Sequence, residues 1–133
     1  MIESDLDEIL RRRNLADFYY DNYQKHYRAK EYSKASEFLW GTINNLAYII
    51  GLFYDRKIRN HGEVVSFIKD LANIMRESKI ITWLASAERL HANFFHDFMD
   101  QFMFEDDKDK AEKLIETLSI FADKEIQKLF RPK

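Results

Sequence analysis

Four polar residues within one amphipathic stretch offer the clearest chemistry in this sequence. The segment AERLHANFFHDFM, residues 87–99, carries Arg89, His91, Asn93 and His96. Arg89, Asn93 and His96 occupy positions i, i+4 and i+7, so in a helix their side chains line one stripe. A histidine can act as a general base near neutral pH, and an arginine can hold a phosphate. Arg89 and His96 therefore form one candidate catalytic pair, and a solvated polar face is the simpler interpretation.

A second group of candidate residues occupies the segment DRKIRNHG, residues 55–62, and the glutamate that follows it. The group consists of Arg56, Arg59, His61 and Glu63. They lie at the start of a predicted helix, where unbonded backbone N–H groups and the helix dipole favour an anion. A phosphate would suit that position. A basic loop that is merely solvated is the alternative interpretation.

A metal site is the third kind of chemistry that these residues suggest. Glu88 and His91 form one Glu-x-x-His pair, and carboxylate-bridged di-metal bundles need two such pairs on different helices. None of the other three histidines has a glutamate three positions before it, and the chain has no cysteine. We therefore predict neither a metal nor a cofactor. A half-buried His91 paired with Glu88 is the structural alternative.

Helices must position these residues, because the sequence has few chain breaks. It contains only three glycines and one proline, too few for the turns of an all-β protein. Apolar residues recur every three or four positions in five segments. The predicted helices lie within residues 6–27, 35–53, 64–75, 83–98 and 111–130. The predicted breaks are residues 28–34, 55–62, 76–79 and 104–109.

The expected fold is all-α, an up-and-down bundle of about five helices forming a single domain over residues 1–133. The second helix is apolar over more than half of its circumference, which places it centrally. It looks too apolar for four neighbours to cover, so we expect a homodimer with an aromatic interface. The break between the third and fourth helices is short, so these helices should be adjacent and bring His61 close to His91.

Composition excludes several classes of protein. The net charge of −2 gives no general attraction to nucleic acid or to an anionic membrane. The longest apolar run, residues 46–54, has nine residues, whereas a membrane-spanning helix needs about twenty. The N-terminal segment MIESDLDEIL is acidic and does not look like a signal peptide. These features predict a cytoplasmic protein that does not bind membranes.

Three motifs of this sequence resemble those of a known superfamily. They lie in the segments YSKASEFLWGTINNLAYII, RNHGE and RLHANFF. Their signatures are Ala35-Ser36-x-x-x-Trp40-Gly41, Asn60-His61-Gly62-Glu63 and Leu90-His91-x-Asn93-Phe94-Phe95. In these motifs, residues 15–130 resemble the archaeal paralogous-repeat branch of the HEPN superfamily, whose name stands for higher eukaryotes and prokaryotes nucleotide-binding.

This resemblance implies an all-α up-and-down bundle that is usually dimeric. Many HEPN members are metal-independent ribonucleases or toxins, and others act beside a small nucleotidyltransferase. In the ribonuclease members an arginine is followed, after four to six residues, by a histidine. That histidine acts as general base on the ribose 2′-OH while the arginine holds the phosphate. Two pairs match the spacing, but Lys57 and Leu90 stand where those members often carry asparagine.

We therefore predict a HEPN-like binding or interaction module, homodimeric and linked to a nucleic-acid or nucleotide-related system. The candidate binding residues are Arg56, Arg59, His61, Glu63, His91 and Asn93. A metal-independent endoribonuclease using Arg89 with His96, or Arg56 with His61, is one alternative. A non-catalytic partner of a nucleotidyltransferase is the other. The expected partners are a second copy of the chain and either RNA or a nucleotidyltransferase.

Overall fold

Five α-helices make up the part of the chain that the computed structural model describes, residues 3–131. They are α1 (Glu3–Arg28), α2 (Tyr32–Phe53), α3 (His61–Ile74), α4 (Lys79–His96) and α5 (Gln101–Leu129). No strand occurs within residues 3–131. The predicted all-α bundle of five helices is thereby confirmed. None of the described helices combines the length and the apolar character that crossing a membrane requires.

One predicted break is wrong, because residues 104–109 lie inside α5 and not in a loop. The actual break is at residues 97–100, where Asp97 adopts a left-handed φ of 44° and ends α4. The carboxylate of Asp100 then accepts a hydrogen bond from the Met103 backbone N–H and starts α5. The density of charge at 104–109 suggested a loop, although Phe104 is fully buried there. A capping aspartate is a more specific boundary signal than a run of charges.

Left-handed residues other than glycine end the first four helices. Lys30, Asp55, Arg76 and Asp97 have φ between 44° and 60°, and each lies in one of the four links. Glycine is the usual residue at this position because it has no Cβ to clash. No glycine has a positive φ. The sequence has few glycines for two reasons. Most residues lie in helices, and polar residues take the left-handed positions in the links where glycine is usual.

Helix α2 lies at the centre of the bundle and packs against each of the other four helices. Its long apolar side chains, such as Leu39, Ile43 and Leu46, are fully buried. A single chain therefore covers α2, contrary to our expectation that four neighbours would not suffice. The apolar character of this helix gives no reason for a dimer.

The link between α2 and α3 folds back onto the end of α2 at Gly51. The Arg56 backbone N–H donates to the Gly51 carbonyl oxygen over 2.8 Å. A Cβ at Gly51 would lie 2.9 Å from the Arg56 carbonyl oxygen and 3.0 Å from Cδ1 of Ile58, so only glycine permits this approach. The close contact carries the rest of the link, up to Asn60, alongside α2. It thereby positions the first residue of α3, His61.

Candidate functional site

A polar recess opens where α1, α2, the α2–α3 link and α4 meet. It has two lobes, with volumes of about 290 and 300 Å³. Both lobes are lined by Arg12 of α1, Trp40 and Asn44 of α2, and His91 of α4. We call the first lobe the α3 lobe, because it is completed by Tyr48, Ile58, Arg59, Asn60, His61 and Val64. The second is the α1 lobe, completed by Leu15, Tyr19, Glu37, Phe38, Gly41 and Asn45.

Helix α2 supplies one wall of the recess through a single stripe of side chains. Glu37, Trp40, Asn44 and Tyr48 follow one another at i, i+3, i+7 and i+11, which places them on one face of the helix. This stripe is polar and aromatic in a helix that is largely apolar. It is the signal that sequence inspection could have used to find these residues. Its meaning depends on knowing that α2 is central and that this face remains open.

Three aromatic rings meet at the boundary between the lobes. The Trp40 ring centroid lies 4.8 Å from the centroid of the His61 imidazole and 5.0 Å from that of the His91 imidazole. The two imidazoles are stacked with centroids 5.0 Å apart and planes inclined by 16°. The expectation that adjacent helices α3 and α4 bring His61 close to His91 is confirmed. The imidazoles of His61 and His91 are partly exposed, whereas Trp40 is only 6% exposed and belongs to the core. We call these three rings the aromatic platform.

Each histidine of the platform has a carboxylate beside it. Nε2 of His61 lies 3.4 Å from Oε1 of Glu88. Nδ1 of His91 lies 3.5 Å from Oε2 of Glu37, yet both of these atoms are buried and neither makes a hydrogen bond. The expected pairing of His91 with Glu88 is therefore wrong, since Glu88 bonds to His61 instead. The carboxylate that does lie beside His91 comes from α2.

Burial favours the uncharged form of the Glu37–His91 pair. It raises the pKa of the Glu37 carboxyl above its ordinary value. It also lowers the pKa of the His91 imidazole, as does the neighbouring His61, while Glu88 acts in the opposite direction. Both effects follow from the cost of removing a charge from water. The recess thus contains a carboxyl oxygen and an imidazole nitrogen that have no hydrogen-bond partner among the residues the structure describes.

Arginine side chains border the recess on two sides. Arg12 donates to Oδ1 of Asn45 over 3.1 Å and to Glu8 over 3.0 Å. Its guanidinium carbon lies 4.0 Å from the centroid of the Tyr48 ring. These three contacts hold a cation at a fixed position on the α1 side of the recess. On the opposite side Arg59 is 77% exposed and pairs with Glu63.

The start of α3 already holds an anion, which is the carboxylate of Glu63. It accepts hydrogen bonds from the Arg59 backbone N–H over 3.1 Å and from Nδ2 of Asn60 over 3.2 Å. Oδ1 of Asn60 in turn caps the Glu63 backbone N–H. Glu63 thus engages the two residues just before α3, and the phosphate suggested for this helix start stays a prediction.

Structural partners hold the arginines of the two predicted catalytic pairs. Arg56 bonds to Asp70 over 2.8 Å, outside the recess. Arg89 makes two bonds to Asp107, over 2.7 and 3.1 Å, and lies about 10 Å along α4 from the exposed His96. Neither arrangement places a free arginine beside its histidine. Both arginines of the ribonuclease alternative are thus engaged by carboxylates, and that alternative stays a prediction.

Asn93, another predicted binding residue, is fully buried. Its Nδ2 donates to Oγ of Ser36 over 3.2 Å, and its Oδ1 accepts from the Met99 backbone N–H over 2.9 Å. These bonds join the end of α4 to α2 and to the link that follows. Among the residues chosen from the sequence, the recess brings together His61, His91 and Arg59.

The donor atoms around the recess do not form a metal site. Within residues 3–131, no group of three or more histidine, aspartate or glutamate side chains is arranged to hold a metal ion. The side chains that line the recess offer aromatic rings, hydrogen-bonding groups and, at its border, the positive charges of Arg12 and Arg59.

Comparison with known proteins gives one match. A family model described as the archaeal PaREP1/PaREP8 family matches residues 11–115, which is more than half of the chain. The matched range contains every side chain that lines the recess. No curated protein and no solved structure matches the chain.

Proposed function

The chain belongs to the archaeal PaREP1/PaREP8 family, and from this premise we propose that it is a HEPN-like helical module that binds a nucleobase in the recess. The base would be presented by a free nucleotide or by single-stranded RNA. The HEPN assignment rests on the sequence resemblance and is part of the proposal.

The aromatic platform is the observation that carries this function. Nucleobases stack on exposed aromatic side chains, and such stacking contributes about 1–3 kcal/mol per base. The partly exposed imidazoles of His61 and His91 offer such surfaces, with centroids within 5.0 Å of each other and of the buried Trp40 ring. Unpaired bases are also recognised through hydrogen bonds to their edges, for which Asn44 and Glu37 are suitably placed in the wall.

The borders of the recess supply the charge that a nucleotide requires. Arg12 is fixed by its contacts with Asn45 and Tyr48, and Arg59 lies on the other border. Each lobe, at about 300 Å³, has the size of a small-molecule site. The chain has a net charge of −2, so affinity for RNA would come from this local arrangement and not from general attraction.

Fluorescence of Trp40 provides a direct binding assay. The chain has two tryptophans, so the variant Trp83→Phe leaves only the tryptophan of the recess. We expect nucleoside 5′-monophosphates or short oligoribonucleotides to quench it, because a base stacked on the imidazoles that contact Trp40 changes the surroundings of this indole. In this background Arg12→Ala should weaken binding about tenfold, the value of one charge-assisted contact. Circular dichroism would verify that the variant is folded.

Arg11→Ala is the matched control, because Arg11 adjoins Arg12, bonds to the same Glu8 and does not line the recess. Its affinity should equal that of the parent. Tighter binding of oligoribonucleotides than of mononucleotides would identify RNA as the source of the base, and the reverse would identify a free nucleotide. Absence of quenching by both at millimolar concentration would refute the proposed function.

A homodimer is the second part of the proposal, and exposed aromatic side chains around the α4–α5 link support it. Phe94, Phe95, Phe98 and Phe102 are between 39% and 83% exposed. A dimer with twofold symmetry buries the same surface patch on both copies. An exposed apolar patch suits such an interface, because it can pack against its own copy. Phe95 also contacts His91 edge to face at 5.3 Å, which would place the dimer interface beside the recess.

Light scattering coupled to size exclusion tests the dimer. We expect the mass of two chains at micromolar concentration and a shift toward one chain in Phe102→Ser, because Phe102 is 83% exposed. Phe18→Ser on α1 is the control, since Phe18 is also well exposed but lies on another helix. A parent protein with the mass of one chain would contradict this part of the proposal.

A further inference from the structure

Two buried atoms of the recess lack a hydrogen bond, Oε2 of Glu37 and Nδ1 of His91. Among the side-chain nitrogens and oxygens of the described residues, no other buried atom is unpaired. The two atoms face each other at 3.5 Å across the wall of the recess. That distance leaves no room for a water between them, because a hydrogen-bonded water needs about 2.8 Å to each atom. Since unpaired buried polar atoms are destabilising, each atom is the natural partner of the other.

A hydrogen bond between these atoms requires one hydrogen, which either group can supply. A protonated carboxyl donates to a bare Nδ1, and the single hydrogen of the neutral imidazole then lies on Nε2. An ionised carboxylate instead accepts from an Nδ1–H, and Nε2 is then bare unless the imidazole carries a second proton and a positive charge. A shift of about 0.5 Å by either side chain brings the two atoms to hydrogen-bond length.

The second ring nitrogen of His91, Nε2, is the atom through which this pair acts on the recess. Nε2 is not among the buried unpaired atoms. The ring lines both lobes, and the side chain is 25% exposed. When the pair holds its shared proton, Nε2 carries a hydrogen and donates, whether that proton lies on the carboxyl or on the imidazole. When the proton is lost, Nε2 presents a lone pair and accepts.

Burial and neighbouring charges determine the pH at which the proton is lost. Burial raises the pKa of the Glu37 carboxyl, so the protonated pair persists to a higher pH than an exposed carboxyl allows. Burial also lowers the pKa of the His91 imidazole, as does His61, whereas Glu88 raises it. The other charged or titratable side chains that line the lobes are Arg12 and Tyr19 of α1 and Arg59 of the α2–α3 link. On α2 itself Lys34, one turn before Glu37, pairs with Glu31.

We infer that Glu37 and His91 share one proton, and that Glu37 thereby determines whether Nε2 of His91 donates or accepts a hydrogen bond in the recess. Glu37 is a positioning residue in this respect, because it acts through His91. The consequence for binding rests on the proposed function. The protonated pair is neutral overall and offers a donor to a nucleotide, whereas the deprotonated pair places a negative charge beside an anionic ligand. Affinity for a nucleotide therefore falls as the pH rises through the transition of the pair.

Nitrogen NMR of the imidazole rings in the ligand-free protein tests the shared proton between about pH 5 and pH 8. The resonance of a ring nitrogen shifts strongly when it gains or loses a hydrogen. We expect Nε2 of His91 to carry a hydrogen at the acidic end and to be bare at the basic end, where Nδ1 carries one. In Glu37→Gln the transition should move to lower pH by about one unit, the value of one charge-assisted hydrogen bond, because an amide neither supplies nor stabilises the proton.

Glu31→Gln is the matched control for this measurement. Oε1 of Glu31 lies 3.0 Å from Nδ1 of His26, so this pair has the same two groups outside both lobes. Its replacement should leave the transition of His91 unchanged. An unchanged transition in Glu37→Gln would overturn the inference, as would an Nε2 of His91 that keeps its hydrogen at the basic end. Either result would leave the proposed function standing.

Binding of the dinucleotide adenylyl-adenosine to the Trp83→Phe protein tests the consequence for the recess. Its phosphodiester keeps a single charge over this pH range, so changes in affinity arise in the protein. Affinity should fall about tenfold across the transition of His91. In Glu37→Gln this fall should move to lower pH together with the NMR transition, while Glu31→Gln should follow the parent.

The two failures are distinguishable. A constant affinity across a transition that NMR detects would overturn the role of Glu37 in binding. Failure of the dinucleotide to bind at any pH would refute the proposed function, and the NMR result alone would then decide whether the proton is shared.

Discussion

The variant Asn93→Ala should lower the free energy of unfolding by about 2–4 kcal/mol. The side chain of Asn93 is fully buried and bonds to both Ser36 and the Met99 backbone N–H. Alanine would leave that N–H without a partner in the interior and would remove the contact between α4 and α2. Urea denaturation followed by circular dichroism at equal protein concentrations measures the difference.

Asn14→Ala is the control for this experiment, because Asn14 is exposed in the middle of α1. Surface substitutions of this kind change stability by about 0.5 kcal/mol or less. A loss that small at Asn93 would contradict its role as a buried structural link. It would also restore the interpretation, drawn from the sequence, that Asn93 faces a ligand.

The second large effect is expected at the ion pair between Arg89 and Asp107. The side chain of Asp107 is 7% exposed and accepts two bonds from Arg89, whose own side chain is 51% exposed. In Arg89→Leu the carboxylate would stay buried without its cation, at a cost of roughly 1–3 kcal/mol after allowance for solvent on the arginine side. The double variant Arg89→Leu/Asp107→Leu should regain part of this loss, because neither charge is then buried alone.

A comparable but exposed pair gives the control for this measurement. Arg56 and Asp70 also lie 2.8 Å apart, but their side chains are 43% and 48% exposed. Arg56→Leu should therefore cost less than about 1 kcal/mol. Equal losses in Arg56→Leu and Arg89→Leu would show that burial of Asp107 is not what gives the pair its strength. Both arginines were candidate catalytic residues. We expect their replacement to change the free energy of unfolding.

The fold could be predicted from the sequence because apolar spacing is a local property. Residues that recur every three or four positions define helices wherever the neighbours lie. The predicted break at residues 104–109 was wrong because its charged residues were interpreted as a loop. In the structure they line α5, where Lys108 bonds to Glu112 one turn later. Asp97 and Asp100, which end one helix and begin the next, were the local signals at the true break.

The site could be predicted only where chain connectivity determines proximity. His61 and His91 meet because a short link makes α3 and α4 neighbours. Glu37 and Arg12 belong to other helices, and no spacing in the sequence connects them to these histidines. Asn93 had the residue type expected at a site, but its partner Ser36 is 57 positions away and makes it structural. The role of a side chain such as Asn93 depends on which residue it bonds to, and spacing in the sequence does not reveal that residue.

The central position of α2 also determines which part of the recess can move. Backbone amides in a helix that packs against every other helix exchange with solvent only when the whole domain unfolds. The α2–α3 link consists mostly of exposed residues, so its amides can exchange through local opening. We therefore expect the amides of Glu37 and Trp40 to exchange more slowly than those of the α2–α3 link. The recess thus joins a wall on the central helix to an edge on an exposed link, and we expect a bound ligand to slow hydrogen exchange mainly at that edge.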